Sequence, residues 1–369
     1  MTNLTIEIIW LVVAFLLGSC VGSFINVVVG RLPYEKSLLW PSSTCLKCYT
    51  PLRLMDNLPV IGYLMLGGKC RYCGSRYSSQ YLWIELICGA VFAGLLYFDI
   101  FMNGLHLPVI ATSDWSINQG LIPWQGIILF FHHAILFSFL LAAALSDIHT
   151  RTIPLSLTAT GTIIGLISAT IFAWPFPTEL TSGNLAVRTS WAFNFPPEKF
   201  PRGVYQWPVW GPLPTWLMVE SRWLLGLLTG LAGAAMGSLL VRAIKFLVEK
   251  GMGREAIGMG DADLMMMAGA FIGWQGVIVS FFVGGLCALP MAILMLIFKK
   301  DRSLPFGPGL ALGVVIVVLN GPRMAPALQS LFFDEIILLV FATIVFGGMF
   351  IGGLLLRFTN PAPQGVSPS

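Results

Sequence analysis

Two sets of residues in this chain could do chemistry by their type and spacing. Gly258-Met259-Gly260-Asp261-Ala262-Asp263-Leu264 sets two carboxylates at the mouth of an apolar segment, and Asp147 closes another apolar run, Gly126 to Ser146. Ionised groups at a membrane boundary are costly, so each is a functional hypothesis. Two carboxylates brought within hydrogen-bonding reach cannot both ionise and share a proton. One can then take a proton from water while the other protonates or polarises a carbonyl, the chemistry of an aspartic protease. Asp147 and Asp261 are the expected pair. Gly258 and Gly260 are expected to allow close backbone approach and φ > 0. A helix starting near Leu264 would turn its positive dipole end towards Asp261. Asp263 is a third carboxylate nearby, and His149 lies two residues past Asp147, close enough to tune it.

The second set is Cys45-Leu46-Lys47-Cys48 and Cys70-Arg71-Tyr72-Cys73. Two CxxC pairs at this separation suit tetrahedral zinc–thiolate coordination, each tight turn aiming both sulfurs at one ion. Four thiolates leave no open position for water, so the zinc is expected to be structural. The other three of the seven cysteines, Cys20, Cys88 and Cys287, stand singly in apolar runs and read as small core residues.

The elements that must hold these groups are membrane helices. The chain is 56% hydrophobic and 10% charged, with mean hydropathy +0.82. Soluble domains average about 25% charged residues, so an all-α polytopic membrane protein is expected. The net charge of +4 comes with no dense Lys/Arg stripe, which excludes nucleic acid as a partner. The bilayer is the expected environment. Candidate spans are 6–29, 82–101, 125–146, 153–174, 222–247, 276–298 and 336–356. The shorter segments 264–273 and 305–320 fall below spanning length, giving eight or nine crossings. No basic region precedes the first apolar run, so it is expected to stay as a helix, not to be cleaved as a signal peptide. With the N-terminus outside, sixteen Lys and Arg residues fall on inner loops against five on outer ones. That puts residues 31–81, 147–152, 248–263 and 299–304 in the cytoplasm, with Asp147 and Asp261 on one side.

The organisation expected is a first helix (1–30), a cytoplasmic four-cysteine loop (31–81), and a second helix with an outer loop (82–124). Helices flanking Asp147 (125–174), a Trp/Pro-rich outer insertion (175–221), helices carrying the Gly-x-Gly-Asp stretch (222–357) and a disordered tail (358–369) follow. Glu85 reads as interfacial, Asp99 as lying near the outer surface, and His132-His133 as packing or interior hydrogen bonding. Met265-Met266-Met267 reads as helix packing.

Several motifs, in order along most of the chain, resemble the bacterial type IV prepilin peptidases. They are Gly22-Ser23-Phe24-Ile25-Asn26 through Gly30-Arg31-Leu32-Pro33, Asp56-Asn57-Leu58-Pro59-Val60, and Gly67-Gly68-Lys69-Cys70-Arg71-Tyr72-Cys73. Asp147 with Ile153-Pro154, Gly258-Met259-Gly260-Asp261, and Pro305-Phe306-Gly307-Pro308 with Ala311-Leu312-Gly313 complete the set. The resemblance implies an inner-membrane aspartic peptidase with its site at the cytoplasmic face, cutting the leader from prepilins and pseudopilins. Many members then methylate the new N-terminus with S-adenosylmethionine. It also implies that Asp147 and Asp261 are catalytic and that Cys45, Cys48, Cys70 and Cys73 are zinc ligands. The chain departs from the family pattern at Asp263, where Lys is common, at Leu46, where Pro is usual, and at Gln80-Tyr81-Leu82 in place of Arg-Tyr-Pro. Lys250 or Arg254 could offset the charge of Asp263. The carboxylates by themselves also fit a different Gly-x-Gly-Asp intramembrane protease, or a transporter or scaffold using them as an ion relay.

Overall fold

The computed structural model describes residues 3–105 except 39 and 41, residues 110 and 117, and residues 121–172, 220–253, 258–299, 305–333 and 335–359. The expected insertion 175–221 falls outside these apart from its last two residues, and so does most of the tail from 358.

Eight long helices make up the fold among the described residues. They are α1 (Asn3–Arg31), α2 (Gln80–Leu96), α3 (Trp124–Thr150), α4 (Leu155–Phe172), α5 (Arg222–Met252), α6 (Met259–Lys299), α7 (Gly307–Phe333) and α8 (Glu335–Thr359). Five are long and apolar enough to cross a membrane, and Leu155–Ile171, Gly307–Gly321 and Ile336–Gly352 are shorter apolar stretches. The chain is therefore an all-helical polytopic membrane protein. Apolar side chains such as Ile8, Val12 and Leu16 on α1 stand exposed, the pattern of a surface facing lipid.

Two boundaries differ from expectation. Segments 264–273 and 276–298 join into the 41-residue α6, which is broken at Gly273 (φ 77°, ψ 174°). The helix also begins at Met259, so Asp261 sits inside its first turn and not ahead of it. Segment 305–320 is the first part of the 27-residue α7.

The core draws buried side chains from α1 to α7; Leu129, Leu136, Leu140, Met265, Met267, Phe271 and Leu310 are its part on α3, α6 and α7. Met265 and Met267 pack there as expected. Helices α5 and α6 touch backbone to backbone: a Cβ on Gly233 would lie 2.0 Å from Gly269 O. Small residues let membrane helices approach this closely where hydrophobic attraction cannot draw them together.

Candidate active site and thiol cluster

The carboxylate site is built where three helix ends meet. Helix α3 stops because Arg151 turns left-handed (φ 57°), its N–H bonding Asp147 O at 2.9 Å. Ser146 Oγ donates to Thr152 O at 2.9 Å, closing the corner before Pro154 opens α4. This corner projects Ile153 between the first residues of α6 and α7. A Cβ on Gly260 would lie 3.0 Å from Ile153 Cβ, and one on Gly307 3.1 Å from Ile153 Cδ1. Asp147 and Asp261 are both buried, at 7% and 8% exposure. They are close enough for the charge of Asp147 to act on Asp261, as does that of Lys245 on α5.

Gly307, at the start of α7, donates its N–H to Asp147 Oδ2 at 2.9 Å. A helix N-terminus offers free N–H groups and a positive dipole end, so it favours a carboxylate there. A Cβ on Gly307 would fall 2.8 Å from that same oxygen, so glycine is needed for the approach. In the sequence Gly307 stands only as part of the Pro305-Phe306-Gly307-Pro308 motif, with no contact assigned to it. Gly-Pro opening an apolar run was the available signal, but the partner lies 160 positions away.

The glycines of the Gly-x-Gly-Asp stretch meet expectation only in part. Neither Gly258 nor Gly260 has positive φ. Gly260 is there for close contact with Ile153. A Cβ on Gly258 would meet Asp261 Oδ2 at an ordinary 3.7 Å, so space makes little demand at that position.

Asp263 faces α5, where Arg242 Nη2 lies 3.4 Å from its Oδ1. That arginine, and not Lys250, is its partner. Lys250 lies over the Phe246 ring, and Arg254 is outside the described residues. His149 is exposed and contacts Gln80 at the start of α2 through its Nε2. This contact sets the four-cysteine loop, which ends at α2, against the same end of the bundle as the carboxylates.

The loop consists of two turns of the same design. Cys45 N–H bonds Thr50 O at 3.0 Å and Tyr49 N–H bonds Cys45 O at 2.8 Å; Cys70 N–H bonds Ser75 O at 2.8 Å and Gly74 N–H bonds Cys70 O at 3.0 Å. The residue after each pair is left-handed, Tyr49 at φ 57° and Gly74 at φ 69°. The four Sγ atoms lie within 4.8 Å of one another, Cys45–Cys73 at 3.8 Å and Cys48–Cys70 at 3.9 Å. Zn–S bonds of about 2.3 Å at tetrahedral angles separate sulfurs by roughly 3.8 Å, so the cluster fits such an ion. The Ser75 hydroxyl beside Cys45 brings its thiol down to about 5, and the Cys73 N–H lowers that of Cys70, both favouring thiolate. Arg71 donates to both oxygens of Asp56 and holds that carboxyl below the usual carboxylate range, tying the second turn to residues 54–57.

The loop is fastened to the bundle from below. Glu85, expected to be interfacial, is buried and accepts the Val60 N–H at 2.7 Å. Asn26 of α1 donates to Tyr81 O at 3.3 Å. Asp99 and His133 also depart from or refine expectation. Asp99 is fully buried in a π-turn, Tyr97–Phe101, and both its oxygens lie 2.9 Å from His133 Nδ1. A π-turn adds a residue per turn and so rotates the face that follows it.

A helical membrane bundle with a buried carboxylate pair and a four-thiol loop at one end defines a class of membrane hydrolase, and the comparisons agree. Residues 16–98 match the Bacterial Peptidase A24 N-terminal domain and residues 214–293 the Type IV leader peptidase family. In these two stretches, which together cover less than half of its residues, the chain is similar to the type IV leader peptidases, a family of aspartic proteases. It is similar to proteins named prepilin leader peptidase/N-methyltransferase. That of Myxococcus xanthus is 28% identical over 77% of this chain, but the match covers only 62% of that protein. Those of Dickeya chrysanthemi and Pseudomonas putida are 27% and 25% identical over 85% of this chain, covering 95% and 92% of their own lengths. No solved structure gives a significant match.

Proposed function

We propose that this chain is an aspartic endopeptidase of the bacterial inner membrane that removes the leader of prepilins or pseudopilins at the cytoplasmic face, with its N-terminus outside. The observation that supports this best is the meeting of Asp147 and Asp261 at three converging helix ends, with Gly307 N–H fixing the rotation of the Asp147 carboxylate. One carboxylate takes a proton from water as its oxygen adds to the scissile carbonyl, and the other donates a proton to that carbonyl oxygen. Collapse of the tetrahedral adduct breaks the C–N bond, the leaving nitrogen takes a proton, and the pair returns to sharing one. The Lys and Arg bias toward the Asp147 and Asp261 side supports the orientation.

Cys45, Cys48, Cys70 and Cys73 would hold zinc as a closed set, which organises the loop and takes no part in hydrolysis. Methylation of the new N-terminus with S-adenosylmethionine is proposed on the names of the relatives, and no residue of the chain is assigned to that cofactor.

Coexpression with a candidate prepilin, scored by gel shift and product mass, tests the reading. Wild type should release the leader, and Asp147→Asn or Asp261→Asn should not. Cleavage by both variants would sink the pair assignment. The same spectrum reports methylation as a gain of one CH2 on the product.

A further inference from the structure

Helix α6 carries Asp261 on a short first segment that ends at Gly273. Its φ of 77° with ψ of 174° is a conformation open in practice to glycine alone, and it interrupts the helix. Carbonyls of the last turn before such a break are short of in-helix partners, and Phe271 belongs to that turn. In an apolar bundle an unmet carbonyl is costly, so something must reach it.

His132 does. It is buried on α3, its Nε2 lies 3.2 Å from Phe271 O, and its Nδ1 lies 2.6 Å from Ser168 Oγ of α4. A carbonyl oxygen can only accept, so Nε2 bears the proton, and Nδ1 of the neutral ring accepts from the Ser168 hydroxyl. The ring also meets the Phe271 ring edge-on, centroids 5.1 Å apart. The adjacent His133 is held by Asp99, so this stretch of α3 is pinned against the π-turn as well.

The same two helices therefore touch at two heights. Helix α3 supplies Asp147 and, fifteen residues earlier, His132; α6 supplies Asp261 and, ten residues later, Phe271. At 1.5 Å per residue these are separations of about 22 and 15 Å. We propose that His132 is a positioning residue: by capping the Gly273 break it fixes how far the Met259–Ile272 segment sits along α3, and so where Asp261 stands beside Asp147. This rests on the reading of those two carboxylates as the catalytic pair.

The test uses the full chain in detergent with a prepilin substrate. His132→Leu should lower kcat at least about tenfold and leave KM within about twofold, because misplacing a catalytic group affects the chemical step. His132→Gln, which keeps an N–H donor at similar reach, should recover kcat to within about threefold of wild type. Gly273→Ala should resemble His132→Leu, and the double variant should be no worse than the larger single one, the signature of one shared element. Independently of activity, 15N NMR of histidine-labelled wild type should find one ring neutral and protonated at Nε2, with that signal absent in His132→Leu. If His132→Leu fails to accumulate, the Gln variant and the wild-type spectrum decide. Wild-type kcat in His132→Leu, no rescue by Gln, or proton occupancy at Nδ1 each overturns the proposal. Cleavage by Asp147→Asn overturns the catalytic-pair reading instead.

Discussion

The thiol loop and the carboxylate pair lie at the same end of the bundle but are assembled in opposite ways. The four sulfurs converge within residues 45–73, each pair brought together by its own turn and two backbone hydrogen bonds. The carboxylates converge from positions 147 and 261, and the N–H that orients Asp147 comes from position 307. The loop is a local structure that an ion can close. The carboxylate site exists only when α3, α6 and α7 are packed. One is a fold element; the other is a product of the whole fold.

Crossing the two regions should give the largest effect. Asp261→Asn should lose at least about 100-fold in cleavage and still contain one zinc per chain by metal analysis. Cys48→Ser should lose the zinc and loosen residues 45–73 to protease, while cleavage falls by less, about tenfold. Loss of zinc in Asp261→Asn, or equal loss of cleavage in both, would show that the regions are not separable.

How much was legible follows the same division. The CxxC pairs are visible because the turn that aims both sulfurs is written in four adjacent residues. The helices are visible because apolar runs of spanning length have few other uses. Asp147 and Asp261 stood out as charges at the ends of such runs. The pairings of Gly307, His132 and Asp263 did not, because each is with a residue brought near by packing. The function expected of Gly260 was half right: it allows a close approach without a positive φ, and no local pattern names Ile153, 107 positions away, as the residue approached. Asp99 was placed without its partner for a different reason. It looked like the end of a span, and the π-turn that turns it onto His133 leaves no mark in hydropathy.

Alanine at the site glycines separates close approach from motif. Gly307→Ala puts a Cβ against Asp147 Oδ2 and should cost kcat about 10- to 100-fold with little change in KM. Gly260→Ala must shift Ile153 by a few tenths of an ångström and should cost less, about fivefold. Gly258→Ala should stay within about twofold of wild type. Equal losses at 258 and 260 would mean the stretch is needed for a backbone property absent from this structure.

Within the thiol loop, the two turns differ at one residue. Tyr49 occupies a left-handed position that Gly74 fills without strain, and the Tyr49 side chain is exposed. Left-handed backbone costs a residue with a Cβ about 1–2 kcal/mol, and glycine gives some of that back in unfolded-chain entropy. Tyr49→Gly should therefore stabilise the zinc-bound loop by about 0.5–1 kcal/mol, and Gly74→Ala should destabilise it by a similar amount. Competition with a chelator reads both. Opposite signs support the shared design; a loss at both positions would mean that Tyr49 has a contact of its own.

The smallest effect is expected at Asp263, which lies two residues from Asp261 yet belongs to neither region. It pairs with Arg242, whose side chain is 48% exposed, so water screens the pair and either partner can be replaced cheaply. Asp263→Lys, the family's common residue, sets two cations face to face, but Arg242 is exposed enough to turn into solvent. Cleavage should remain within about twofold and stability should change by no more than about 1 kcal/mol. A collapse in kcat with normal membrane abundance would show instead that this chain has drawn a third carboxylate into its site, and that the pairing with Arg242 holds it there.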